Sequence, residues 1–368
     1  MGIKNKFIKT NKKEIYNPNK YSVWDAGLSF VLFTILFTFV GLCIKEFLKI
    51  QKVKKYFLDN YDVYLLFSTI VAQLVILIFT FVYSRVRKVG ILSGGGFAFK
   101  FDFLKMLMGL ILVMGVYFLF EPVHMDMANN SAIAFGGKLD IDTEDFNPAI
   151  VLLYSFVITP ILPALIEEAF LRGVVFRSLL GYGQIFAIVC SGAMFAIFHG
   201  NPQQILLQFF GGMAFALALL ATKNFFICCS MHFCYNFLIS IFAVFEEIIK
   251  ENSVKMYAFY RYILPIVGIV FICIGLTYFI KLMLASNKKE KGNKQISTTK
   301  KVYLFNTQEN VIREILAYKT GEIDERLNFG DTFLYGKKFI RTNKTGNRIF
   351  GYAILGLSII VGIVSMFV

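Results

Sequence analysis

The chain has 368 residues, 57% of them hydrophobic and only 17% charged, where an ordinary soluble domain has roughly 45–50% apolar and about 25% charged residues. Together with a mean hydropathy of +0.64, this balance excludes an ordinary soluble globular protein. The net charge of +14 does not point to nucleic acid, because the lysines cluster in polar segments beside apolar ones, as the cytoplasmic-side charges of a membrane protein do. Cys43, Cys190, Cys228, Cys229, Cys234 and Cys273 all fall inside apolar runs, which fits neither a disulfide framework nor a CxxC metal site.

Taken in chain order, residues 1–25 read as a basic cytosolic arm containing Lys4, Lys6, Lys9, Lys12, Lys13 and Lys20. They lack a short apolar core followed by small residues, so the first helix is expected to be retained rather than cleaved. Segments near the length of a span, about 20 apolar residues, are 26–44, 63–83, 104–120, 149–180, 184–200, 202–221, 225–245 and 262–284, with a last one at 349–368. The expected fold class is therefore all-α: a polytopic transmembrane helix bundle with about eight spans in a core of residues 26–284. A basic cytosolic segment, 285–348, and a C-terminal transmembrane helix, 349–368, follow it. Pro160 and Pro163 are expected to break or kink the long 149–180 element.

Loop charges orient the spans. Arg85, Arg87, Lys88 and Lys100 put the 84–103 loop inside, and the acidic 121–148 loop, with Lys138 its single base, lies outside. Alternation then puts the N-terminus, the 181–183 and 222–224 turns and residues 285–348 inside. Lys45, Lys49, Lys52, Lys54 and Lys55 break the alternation. Either an early span is miscounted or residues 45–62 lie along the surface as an amphipathic segment. Within 285–348, SNKKEKGNKQISTTKK reads as a linker, QENVIREILAYKTGEIDERL as an amphipathic helix and FLYGKKFI as a short hairpin. This segment either rests on anionic lipid or forms a small regulatory domain.

Charged groups at membrane depth are costly and mark function. LIEEAFLRGVVFR carries Glu167, Glu168 and Arg172, FAIFHG carries His199, and HFCYNF carries His232 and Asn236. At 1.5 Å per residue from the inner turns, Glu167 lies about 21 Å deep, His199 about 24 Å, His232 about 12 Å and Asn236 about 18 Å. Three helices thus bring acid, imidazole and amide groups to nearby depths. Glu168 and Arg172, at i and i+4, share a face and can pair, while Glu167 is turned about 100° away and left free. His232 and Asn236 also share a face. His124, in the outer loop, is excluded from the site, and Gly181, Gly183, Gly211 and Gly212 read as turn and packing glycines.

EEAFLRG, FAIFH and HFCYN resemble the EExxxR, FxxxH and HxxxN motifs of the CAAX protease and bacteriocin-processing (CPBP) family of intramembrane proteases, and the chain is similar to its type II CAAX prenyl endopeptidases. The resemblance covers about 150–245. It implies an intramembrane endopeptidase with Glu167 as catalytic base, Glu168 paired with Arg172, His199 holding the water, and His232 with Asn236 stabilising the oxyanion. It implies a peptide or prenylated protein substrate, membrane lipid around the chain and no nucleic acid. No cofactor is expected to be required; zinc is the alternative, with Glu167, His199 and His232 as its candidate ligands. The expected location is a prokaryotic cell membrane, with the active site opening toward the cytoplasmic side. The competing functions are a non-proteolytic scaffold or bacteriocin self-immunity protein of the same fold, and a transporter using the buried acids as a proton relay.

Overall fold

The structure, a computed structural model, describes residues 21–22, 24–87, 101–134, 147–180, 182–299 and 345–365. Among the described residues it is helical, with no strand. Among the described residues, seven helices are long and apolar enough to cross a membrane, and Gln184–Phe198 and Ile349–Ser365 are shorter apolar helices. This is the polytopic all-α bundle expected of a chain that must satisfy its backbone hydrogen bonds internally in lipid.

The helices are α1 (Asp25–Phe47), α2 (Gln51–Asp59), α3 (Tyr61–Val86), α4 (Phe103–Ala134), α5 (Pro148–Leu179), α6 (Gln184–Phe198), α7 (Ile205–Thr222), α8 (Phe225–Asn252), α9 (Val254–Thr299) and α10 (Thr345–Ser365). Local chemistry sets several of their ends. Asn147 and Asn224 cap α5 and α8 by accepting the amide hydrogens of Ala149 and Phe226, which satisfies a first-turn donor that has no helical partner. Lys223 closes α7 in the left-handed region, at φ 55°. Gly200, at φ 61°, follows His199, the C-cap of α6, a conformation glycine adopts without a Cβ penalty.

Helix α5 is the hub of the bundle: it packs against α1, α3, α6 and α8. Helix α4 packs along α9 and also meets α7 and α8, while α10 lies along α1. The small residues between α6 and α7 let those two helices close up. A Cβ on Gly192 would lie 2.6 Å from the Phe209 carbonyl oxygen, and one on Gly212 would lie 3.1 Å from the Gly192 Cα. Close backbone approach of this kind is how helices associate in lipid, where burying apolar area supplies no drive.

Several expectations are corrected. Of the break or kink expected at the prolines, the break does not occur in the 149–180 element. It is helical from Pro148 to Leu179, with wide π-type turns at Tyr154–Ile158 and Leu171–Phe176. The first π-turn lies just ahead of Pro160, where the ring would otherwise meet the preceding turn's carbonyl. Residues 45–62 contain a helix, α2, with no buried residue and lysines along it, which is the amphipathic surface alternative rather than a loop. His124 lies on α4, not in a loop. His199 ends α6 instead of lying within a 184–200 span. Residues 286–299 continue α9 as a helix rather than forming a linker. The amphipathic helix and hairpin expected in 301–340 lie outside the described residues.

Candidate active site

Helix α5 presents Glu167 and Glu168 from consecutive positions, so their side chains leave in different directions. Glu168 is fully buried, as is Arg172 one turn later, and the Arg172 Nε lies 3.1 Å from Glu168 Oε2. This is a close ion pair without aligned hydrogen-bond geometry, since Arg172 Nε has no hydrogen-bond partner. The guanidinium is held in addition by Nη2, which donates to the Gly212 carbonyl oxygen at 2.9 Å. It also lies between two aromatic rings, 4.8 Å from the centroid of Phe195 and 5.4 Å from that of Phe215.

Glu168 is the centre of a second set of contacts from α8. His232 Nδ1 lies 2.9 Å from Glu168 Oε1, and because a carboxylate can only accept, Nδ1 carries the proton. The Cys228 thiol donates to Glu168 Oε2 at 2.9 Å. The imidazole of His232 stacks on Phe215, with ring centroids 4.9 Å apart. One buried carboxylate therefore ties α8 to α5 and fixes the orientation of His232. The sequence paired His232 with Asn236 on a shared face. In the fold their partners differ: the Asn236 amide donates to the Thr159 carbonyl oxygen at 3.3 Å.

Glu167 points elsewhere. Its Oε1 accepts a hydrogen bond of 2.8 Å from Gln73 Nε2 on α3, and its Oε2 is buried with no hydrogen-bond partner. His199 Nε2 lies 3.9 Å from that oxygen. The tautomer of His199 follows from its other nitrogen: Nδ1 is 2.8 Å from the Phe195 carbonyl oxygen, which only accepts, so Nδ1 bears the hydrogen and the neutral ring's Nε2 is an acceptor. Two acceptors thus converge across 3.9 Å. A species that donates hydrogens to both, such as one water molecule, satisfies this arrangement.

The structure thus brings Glu167 together with His199, and Glu168 with Arg172 and His232, and sets Asn236 against α5 beside them. Gln73 is the member the sequence reading missed. Its signal is an amide in the middle of the apolar run VAQLVIL.

Residues 148–238 match the family model for type II CAAX prenyl endopeptidases, Rce1-like. They form an Rce1-like domain. It contains all six residues singled out by motif, whereas Gln73 lies outside it. No curated protein and no solved structure gives a significant match to the chain. With its apolar spans, the chain is an integral membrane protein carrying a protease-family domain.

A catalytic zinc site uses three protein ligands and an open position. Glu167 and His199 converge, and His232 engages Glu168 through Nδ1, its Nε2 being the nitrogen left for other contacts. Among the described residues no group of three His, Cys, Asp or Glu side chains has the geometry to hold a metal.

Proposed function

We propose that this protein is an intramembrane endopeptidase that hydrolyses a peptide bond with water activated by Glu167. One observation carries the reading: a buried, unpartnered carboxylate oxygen of Glu167 faces the acceptor nitrogen of His199 at 3.9 Å. A water between them donates one hydrogen to each, and the carboxylate removes its proton as the oxygen attacks the scissile carbonyl. Glu167 then carries that proton to the leaving amine. His199 orients the water, and its own tautomer is held by the Phe195 carbonyl.

Charge developing on the carbonyl oxygen needs donors aimed at it, commonly the largest contribution to such a reaction. His232 and Asn236 are assigned that role. His232 Nε2 becomes a donor only when both ring nitrogens are protonated, and the Glu168 carboxylate on Nδ1 supplies the balancing charge. Arg172 holds the Glu168 carboxylate in place. The substrate class proposed is a membrane-associated peptide or a prenylated protein, in keeping with the Rce1-like domain.

The test is a panel of quenched peptides, prenylated and unprenylated, incubated with the purified protein in detergent, the cut site being read by mass. Wild type should cleave at one bond, a Glu167→Gln protein should not, and a zinc chelator should leave the rate unchanged. Cleavage lost with chelator would overturn the metal-free mechanism. Absence of cleavage across the panel would favour a non-proteolytic scaffold.

A further inference from the structure

Gln73 sits on α3, far from the three motifs in sequence and outside the Rce1-like domain. The buried residues of α3 include Gln73, Ile76, Thr80, Tyr83 and Ser84, spaced three or four apart, which is the stripe a helix turns toward its bundle. Gln73 is the amide in that stripe and is 5% exposed. An apolar residue would pack there without needing a hydrogen-bond partner, and a buried amide without one is costly. The amide has one partner, and it is the carboxylate proposed to act as base: Nε2 to Glu167 Oε1, 2.8 Å. The nitrogen is the atom that must face the carboxylate, because a carboxylate offers only acceptors.

The consequence is geometric. A glutamate side chain has three torsions, and the hydrogen bond found for the Glu167 carboxylate comes from α3. Fastening Oε1 to α3 leaves Oε2 as the oxygen that faces His199. We infer that Gln73 is a positioning residue of the active site, holding the Glu167 carboxylate so that one chosen oxygen meets the water on His199. Its catalytic consequence rests on the proteolytic reading above; the contact itself does not. On this inference the working site extends beyond the domain, and α3 is part of the catalytic apparatus rather than a supporting span.

The experiment uses the full-length protein with Gln73→Leu, Gln73→Glu and Gln73→His. A hydrogen bond to a charged group contributes about 1.5–3 kcal/mol, so loss of the donor should lower kcat by roughly 10–150-fold, at a factor of ten per 1.4 kcal/mol. The KM should stay within about two-fold, since uniform binding of substrate is untouched. Gln73→Glu should lose at least as much, because it sets a second acid against the first. Gln73→His, which keeps an N–H at similar reach, should recover part of the loss. A helix-packing lesion would instead lower thermal stability in all three without this ordering.

A second readout needs no turnover. The infrared carboxylate band of Glu167, isolated by subtracting the Glu167→Gln spectrum, should shift on Gln73→Leu and move back on Gln73→His. Unchanged kcat with an unchanged band overturns the inference. If wild type cleaves nothing, or Glu167→Gln still cleaves, the proteolytic reading fails, and the band alone decides whether Gln73 fixes this carboxylate. A band that does not move sinks the positioning role in either case.

Discussion

Replacing Arg172 by methionine should be among the most damaging single changes in this protein. The guanidinium is fully buried, 3.1 Å from an equally buried Glu168, and it also serves the Gly212 carbonyl and two aromatic rings. Methionine fills much of the same volume, so the loss is electrostatic rather than a cavity. Removing one partner of a buried ion pair leaves an uncompensated charge and costs about 3–5 kcal/mol. Here His232 and Cys228 still contact Glu168, which places the expectation toward the lower end of that range. Neutralising the acid as well, in Glu168→Gln/Arg172→Met, should recover about 2 kcal/mol or more, because contacting residues couple strongly. The assay is reversible unfolding in mixed micelles, followed by far-UV circular dichroism and by the fluorescence of Trp24, the chain's single tryptophan. A single-variant loss below about 1 kcal/mol would refute the reasoning, since that is the size of an exposed pair. So would a double variant less stable than the single one.

Three further substitutions separate packing from chemistry. A Cβ at Gly212 would come within 2.8 Å of the Phe195 Cβ, whereas one at Gly211 meets nothing nearer than Tyr235 at 3.7 Å. Gly212→Ala should therefore cost about 1–3 kcal/mol by overpacking and disturb the Phe195 ring against His199, while Gly211→Ala should be neutral in the same unfolding assay. Elsewhere, Glu121 on α4 and Glu246 on α8 are both buried, and Glu246 accepts from the Tyr257 hydroxyl at 2.9 Å. Glu121→Gln keeps the shape and adds an amide donor where the buried acid stood, so it should change stability by less than about 1 kcal/mol. A loss above about 2 kcal/mol would show that the acid there has another role.

The bundle was legible in the sequence because apolar runs near span length are conspicuous and lysines mark their ends. Nine runs were expected, and the structure has helices at all nine, seven of them long enough to cross a membrane. Helix ends were less legible. The stop after His199 depends on Gly200 adopting a positive φ, and the passage through Pro160 depends on a π-turn; apolarity reports neither. In the candidate site, Glu168 and Arg172 could be paired from their i,i+4 spacing alone. The contact of His232 with Glu168 and that of Gln73 with Glu167 could not, because each joins separate helices 64 and 94 residues apart in sequence. Spacing within one helix carries no information about which neighbour it meets. An uncharged amide such as Gln73 draws no attention until the carboxylate it touches is seen.

The most direct test of the account is the turnover of Glu167→Gln on a peptide that wild type cleaves. The substitution preserves shape and removes the base, and general base catalysis contributes about 10²–10⁴-fold. The account predicts a fall in kcat of that size, with the helical spectrum and the unfolding midpoint near those of wild type. Cleavage by the variant at the wild-type rate would contradict it, and would mean that Glu167 does not activate the water.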